Sequence, residues 1–138
     1  MIRKLTLATK PRIPAKLRKA AKNLSDMRFR QIQLSEPVSS IAKLIPYPVE
    51  RQRHSLIVLG SGQVPTHEDD TQHILATSYC IPFHLPKNAR LHQNYQKVMM
   101  VEGACYSFNQ NDSHGVDSPE DCQTYAAFIV VDVSKKEL

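Results

Sequence analysis

The sequence predicts a mainly β protein, an antiparallel sandwich or barrel preceded by a short helical N-terminal region. Two observations lead to this prediction. The second half of the chain consists of short apolar runs rich in β-branched and aromatic residues, and turn-rich stretches rather than long helices separate them. A length of 138 residues with 41% hydrophobic residues fits one domain of ordinary size with a packed core.

The N-terminal region predicts two helical elements and one strand. In residues 15–24 the apolar positions recur at helical spacing, and Pro14 stands where a first helical turn tolerates proline. Residues 27–34 alternate as in a strand, with a bulge or break expected near Gln31, where the alternation changes phase. Residues 39–45 predict a weak helical turn that ends at the prolines following it.

The pattern changes at His54, after which β-rich runs follow one another at intervals of about ten to twenty residues. These runs are residues 55–60, 73–83, 96–103, 104–108 and 124–133. Such spacing without long helices favours an antiparallel sandwich or barrel over a parallel sheet. We therefore divide the chain into a basic leader with short helices (residues 1–50), packed on or preceding the core, and a β core (residues 51–138).

Charge is distributed unevenly along the chain. Residues 1–30 carry ten Lys or Arg and one acidic residue, Asp26, which gives +9, whereas the other residues sum to −4 within a total of +5. A basic stretch is usually a solvated face, and it can also contact nucleic-acid phosphates. Because Phe29 is the only aromatic residue of this stretch, we expect any nucleic-acid contact through residues 1–30 to be nonspecific.

The three cysteines form an odd set without a C-x-x-C pair, which argues against a disulfide scaffold and a structural zinc site. Cys80 and Cys105 lie in apolar runs, where cysteine behaves as a small hydrophobic residue. This usage indicates a reducing compartment, and we expect a cytoplasmic protein. No apolar run approaches the roughly 18 residues of a membrane span, so we expect no membrane contact.

The most informative stretch is GQVPTHEDD, which follows the first apolar run of the β core and contains His67 and Asp69. Side chains at positions i and i+2 of an extended segment point to the same face, so one metal ion could meet both. His114 follows a later strand and precedes the final one. Two histidines and one carboxylate form the facial triad of non-haem iron(II) oxygenases. His67, Asp69 and His114 are therefore candidates for one metal site and for catalysis.

The order of these motifs resembles a known family. A strand is followed by G-x-V-P-x-H-x-D, then by strands that include G-A-C-Y-S-F, and then by H-G-V and a last strand. This order is similar to the double-stranded β-helix core, a jelly-roll or cupin-like barrel, of iron(II) and 2-oxoglutarate-dependent oxygenases, including their aspartyl/asparaginyl hydroxylase-like branch. The likeness covers about residues 55–133. It implies Fe(II) held by His67, Asp69 and His114, and 2-oxoglutarate as the co-substrate for hydroxylation of a C–H bond in a small molecule or protein side chain.

The chain departs from this family at the site for the far carboxylate of 2-oxoglutarate. The family places a basic residue, usually Arg, on the final strand about ten positions after the distal histidine, because a bidentate cation suits a carboxylate. Here residues 122–126 read CQTYA. Some relatives use a Lys on an earlier strand, so the predicted anchors precede His114 and include one tyrosine that adds a hydrogen bond: Lys87, Arg90, Lys97 and Tyr79.

The remaining histidines leave one alternative open. His73 could be a ligand in the arrangement of cupins, a related barrel, although the H-x-H pair typical of cupins is absent. We expect His54, His84 and His92 to be solvated, because they lie in polar contexts.

Two functions from different classes fit these patterns. The first is a small non-haem iron(II) oxygenase, whose short N-terminal region could require a lid or an oligomeric partner to complete the site. The second is a catalytically silent β-barrel binding module that contacts nucleic acid or protein through its basic leader.

Overall fold

The computed structural model describes residues 2–5, 7, 10–61, 63–67, 75–109, 113–121 and 123–134, with the backbone alone at residues 66, 67, 75 and 76. The helices in these ranges are α1 (Ala15–Asn23) and α2 (Ser39–Ala42). The strands are β1 (Arg3–Leu5), β2 (Phe29–Gln33), β3 (Gln52–Leu59), β4 (Val64–His67), β5 (Leu75–His84), β6 (Arg90–Gln93), β7 (Gln96–Met99), β8 (Cys105–Phe108), β9 (His114–Asp117) and β10 (Ala126–Ser134).

These strands form two sheets. The large sheet has the order β1-β8-β5-β10-β3-β2, and the small sheet has the order β4-β9-β6-β7. All pairings between the described strands are antiparallel. From β3 to β10 the chain passes back and forth between the sheets, which is the winding of a jelly roll. The predicted antiparallel β fold is therefore confirmed.

The large sheet is buried on both faces, because successive side chains of a strand point to opposite sides. In β10, Phe128 and Val130 belong to the core between the two sheets, which also contains Leu91 of β6. Ile129 and Val131 belong to a second core on the outer face. The leader covers that outer face with Ile13, Leu17, Ala21, Val38, Ile41 and Ile45.

The leader is built into the fold at both edges of the large sheet. Strand β1 pairs with β8, and β2 pairs with β3 at the other edge. Ile2 is 4% exposed within the core between the sheets, and its backbone N–H donates to Gln96 Oε1 at 2.8 Å. Residues 1–50 thus contribute two strands and a helical layer to the same body.

The structure differs from the sequence predictions at the short strands. The expected bulge near Gln31 is wrong, because β2 pairs with β3 in continuous register. All five residues of β2 are exposed. A regular strand can therefore carry apolar residues on both of its faces, and no bulge is needed to turn them all to one side. Strands β4, β6 and β9 lie in stretches expected to be turns, since a four-residue strand shows too little alternation to be recognised.

Within the described residues, neither helix is long and apolar enough to cross a bilayer.

Candidate functional site

The register of the small sheet places two predicted ligands opposite each other. His114 begins β9, and its backbone pairs with that of His67 at the end of β4. Val64 of β4 pairs with Val116, so three steps along β4 match two steps along β9, and this irregularity brings His67 into register with His114. Only the backbone of His67 is described. Asp69 and the alternative ligand His73 lie outside the described residues.

His114 faces the space between the two sheets. Its side chain is 7% exposed, and its ring packs on Phe108 of the large sheet with centroids 5.1 Å apart and planes tilted by 49°. Val116, two positions along β9, belongs to the core between the sheets. The alternation of β9 therefore directs His114 inward and leaves Asp117 on the outer face of the small sheet.

A cavity of about 100 Å³ lies against His114. Gln31, Cys80 and His114 are the polar members of its described lining, and the rest is apolar apart from the backbone of Gly115. The full lining is Phe29, Gln31, Ile57, Leu59, Val64, Cys80, Leu91, Phe108, His114, Gly115, Val116, Phe128 and Val130. The cavity thus presents one imidazole within largely hydrophobic walls.

A second polar residue stands beside His114 on the other side of β9. Gln93 of β6 pairs with His114 in the register and is 1% exposed. Its Nε2 donates to the backbone oxygen of Asn109 at 2.6 Å, whereas its buried Oε1 has no hydrogen-bond partner among the described residues. An unpartnered buried carbonyl oxygen is costly, at about 1–3 kcal/mol. Sequence inspection missed Gln93 because it lies in a stretch expected to be a turn.

Three of the predicted co-substrate anchors lie away from this cavity. Arg90 places its Nε 3.1 Å from Asp117 Oδ1, on the outer face of the small sheet. Lys97 is exposed on β7 and pairs in register with His92, also on that outer face. Lys87 is exposed in the connection after β5. Neither lysine nor Arg90 is part of the described cavity lining.

Tyr79, the fourth predicted anchor, points to the opposite side of the large sheet. It packs in the helix-covered core, whereas its neighbour Cys80 lines the cavity. Its ring lies 6.5 Å from that of Tyr47. Burial raises the pKa of Tyr79, with further contributions from Tyr47 and Cys105. Its placement does not support the predicted hydrogen bond to a co-substrate beside His114.

The structure also shows a polar cluster on the outer face of the small sheet, next to a cleft. His92 Nε2 lies 2.5 Å from Asp117 Oδ2, while Arg90 engages the other oxygen of the same carboxylate. The cleft next to His92 and Asp117 is about 330 Å³ and is also lined by Arg28. Sequence inspection missed this cluster because the two strands that carry it, β6 and β9, were not predicted.

The expectation that His54, His84 and His92 are solvated is wrong for His54, which is buried, whereas His84 and His92 are half-buried. His54 is 2% exposed, accepts from Val38 N–H through Nδ1 at 3.1 Å, and donates from Nε2 to Gln52 Oε1 at 2.8 Å. Burial lowers the pKa of His54 to about 4. His84 stacks on Tyr125 with ring centroids 3.8 Å apart, and His92 pairs with Asp117 as described. Local polarity misled the prediction because these residues lie on strands whose neighbours bury them.

Cys80 and Cys105 pack as small hydrophobic residues, as predicted. Both are buried free thiols, at 4% and 2% exposure. Burial raises the pKa of each thiol well above its usual value, and that of Cys105 reaches about 12. Neither is therefore suited to act as a nucleophile at neutral pH.

Among the side chains that the structure describes, no group of three or more His, Cys, Asp or Glu lies close enough together to hold a metal ion. The predicted trio includes only one fully described member, His114. For a metal site, the described residues therefore provide three observations: the register of His67 with His114, the cavity beside His114, and the buried Oε1 of Gln93.

Several solved structures have a fold similar to that of this chain. The chain resembles an RmlC-like cupin protein from Desulfovibrio desulfuricans, with 15% identity, 78% of this chain and 84% of that chain covered, and a TM-score of 0.50. It also resembles the DMSP lyase DddQ from Ruegeria pomeroyi, with 12% identity, 99% and 58% covered, and a TM-score of 0.51.

A further match is a variant of salicylate 1,2-dioxygenase from Pseudoaminobacter salicylatoxidans, with 10% identity, 87% of this chain and 34% of that chain covered, and a TM-score of 0.52. No protein-family model matches the sequence, and no curated protein matches it. Identities this low establish shared architecture rather than shared activity. The chain therefore has the cupin-like double-stranded β-helix, or jelly-roll, fold.

Proposed function

We propose that this protein is a small metal-dependent oxygenase that binds Fe(II) inside the barrel and acts on a small molecule. His67, Asp69 and His114 are the proposed ligands. The observation that supports the proposal most is the register of β4 and β9, which sets His67 opposite His114 at the edge of an apolar cavity. The fold is shared with proteins whose names include a dioxygenase and a lyase.

The donor set fits iron. Residues that face each other across an antiparallel ladder have Cβ atoms about 4.5–5.5 Å apart, a separation from which two imidazoles can reach one ion. Two imidazoles and a carboxylate suit Fe(II) and leave further coordination positions open. The buried Oε1 of Gln93, which has no partner among the described residues, adds an oxygen acceptor next to His114, where a cation would satisfy it.

The chemistry that bound iron supplies in such a site is activation of dioxygen for oxidation of a substrate C–H bond. The chain's own residues would hold and enclose the substrate. Phe108 fixes the ring of His114 by packing against it. The apolar walls between the two sheets exclude water from the space in front of that ring, which keeps reactive species from solvent.

The use of 2-oxoglutarate as co-substrate remains a prediction. A dicarboxylate buried between the sheets needs a cationic partner, and none is present in the described cavity lining. Lys87, Arg90 and Lys97 remain the predicted anchors of its far carboxylate, although all three lie away from the described cavity. Turnover of 2-oxoglutarate by wild type, compared with single Ala variants of these three residues, tests this co-substrate separately from metal binding.

One observation favours the binding module as a second candidate. Lys16, Lys19 and Lys22 recur along α1 and are exposed, while Leu17 and Ala21 on the same helix are buried against the large sheet. The helix thus docks through its apolar stripe and presents cations to solvent. We propose nonspecific contact with nucleic-acid phosphates as the alternative function of this surface.

The iron content of the protein, purified anaerobically with added Fe(II), tests the proposed oxygenase. Wild type should hold about one iron per chain, and His67→Ala and His114→Ala should each lose most of it. His92→Ala is the matched control, since His92 lies on the outer face of the same sheet and should keep the iron. Equal iron content in all four proteins would contradict the proposal. If His73→Ala lost iron and His67→Ala kept it, His73 would be the ligand in place of His67, as in the cupin arrangement.

A further inference from the structure

We infer that the cavity between the two sheets binds a small, uncharged aromatic molecule of one ring. This inference rests on the proposed function in that it names the substrate class of the same site. Its evidence is the composition, size and opening of the cavity.

The described walls carry no permanently charged side chain. The described lining contains no Lys, Arg, Asp or Glu. Cys80, which lines the cavity and is 4% exposed, has its thiol pKa raised by burial and stays uncharged. In the protein without bound metal, a charged ligand would lose its hydration at these described walls without gaining a counter-charge, which costs several kcal/mol, so an uncharged ligand is favoured.

The walls are also rich in aromatic rings. Phe29, Phe108 and Phe128 line the cavity together with aliphatic side chains of both sheets. Aromatic pairs in offset or edge-to-face arrangements contribute about 0.5–1.5 kcal/mol beyond the area they bury. An aromatic ligand can make such pairs with these rings, which an aliphatic ligand of equal size cannot.

The volume limits the ligand to about one ring. The cavity measures about 100 Å³. An apolar protein cavity of roughly 150 Å³ holds one benzene molecule. A single ring that protrudes in part through the opening therefore fits, whereas a nucleotide or a fatty acid does not.

The opening lies along β2, the edge strand of the large sheet. Phe29 lines the cavity although it is 47% exposed, and Gln31, two positions along the strand, also lines it and is exposed. Both residues lie on the inner face, because Phe29 pairs with Leu59 and Gln31 with Ile57. A ligand would enter between the edge strands β2 and β4 and come to rest near His114, with Gln31 offering an amide at the mouth.

Toluene and benzoate, matched in ring and size but different in charge, test the inference. Methyl NMR of the wild-type protein, prepared without metal, should show that toluene shifts the resonances of cavity residues such as Ile57, Leu59 and Val130, while benzoate at ten times the concentration leaves them in place. Phe29→Ala should weaken toluene binding about threefold or more, because it removes one ring from the wall. Ile32→Ala is the matched control, since Ile32 lies on the same strand, is 37% exposed and is not part of the lining.

The inference is overturned if toluene leaves the cavity methyls unshifted, if benzoate or 2-oxoglutarate shifts them as strongly, or if Phe29→Ala and Ile32→Ala bind toluene alike. Loading matched samples with Fe(II) and measuring their iron content separates this failure from that of the proposed function. Toluene binding in a protein that takes up no iron contradicts the oxygenase alone, and iron uptake without toluene binding contradicts the ligand class alone.

Discussion

His92 Nε2 lies 2.5 Å from Asp117 Oδ2, on the face of the small sheet that points away from His114. The two histidines lie on neighbouring strands, yet the alternation of side chains separates them by the thickness of the sheet. The small sheet thus carries two different polar groups. His114 faces the cavity, and His92, Arg90 and Asp117 form a pairing network on the outer surface.

Asp117→Asn tests this separation. It removes the charge shared by His92 and Arg90, and because these side chains are partly exposed, the free energy of unfolding should fall by no more than about 1 kcal/mol. The iron content should equal that of wild type. Iron loss in Asp117→Asn without a comparable loss of stability would locate the metal on the outer face of the small sheet instead of inside the barrel.

His54 should make the stability of the protein depend on pH. Its pKa is lowered to about 4 by burial, so between pH 6.5 and 4 the unfolded chain binds a proton that the folded chain does not. The stability contributed by neutral His54 is present above pH 6.5 and is lost as pH falls, by about 3 kcal/mol at pH 4. Chemical denaturation at several pH values measures this slope.

His54→Asn is the comparison for that slope, because its Oδ1 can still accept from Val38 N–H while the side chain does not titrate. The variant should lose stability at pH 7.5 and show a flatter decline below pH 6.5. A decline as steep as that of wild type would assign the pH dependence to other groups.

Gly60→Ala should destabilise the turn that leads from β3 into β4. A Cβ at this position would lie 2.1 Å from the backbone oxygen of Met27, which cannot move without shifting the chain before β2. We expect a loss of about 1–3 kcal/mol. Gly103→Ala is the control, since its Cβ would meet the flexible side chain of Lys10, and its φ of +83° costs about 1 kcal/mol. Equal thermal shifts in the two variants would show that the Met27 contact is not tight.

Replacing Lys16, Lys19 and Lys22 together by Gln tests the alternative function of the leader. If α1 contacts nucleic acid, wild type should bind a generic duplex with an affinity that falls steeply with salt, and the triple variant should reduce the magnitude of the log–log slope by up to about 2.7. The fold should be preserved, because all three lysines are exposed. No binding by wild type at about 50 mM salt would leave these cations as a solvated face.

Deleting residues 1–12, in contrast, would damage the fold and is a poor test of the leader. It would remove β1 and the buried side chain of Ile2, which the sequence alone did not identify as structural. The net charge of +9 in residues 1–30 suggests a basic segment that is separate from the core. Strand β1 nevertheless pairs with β8, which lies about 100 positions away in the sequence. Such distant pairings leave no local signal in the sequence.

The sequence predicted the long elements well. α1 and β10 were predicted from residues 15–24 and 124–133, because an apolar stripe and a run of seven apolar residues, 125–131, are strong patterns. The inward direction of His114 follows from the alternation of β9, a strand too short to be recognised from its sequence. The outward direction of Arg90 and Lys97 depends on the pairing of β6 with β7 and β9, which no local pattern specifies.

One metal ion between the two sheets, held by His67 and His114, is the centre of the proposed function. Anomalous X-ray scattering at the iron edge, from crystals grown anaerobically with Fe(II), tests it most directly. We expect one peak within about 2.0–2.2 Å of a ring nitrogen of each histidine, next to the apolar cavity. A peak beside His92 and Asp117 on the outer face, or no peak at His114 in crystals that contain Fe(II), would contradict the proposed metal site.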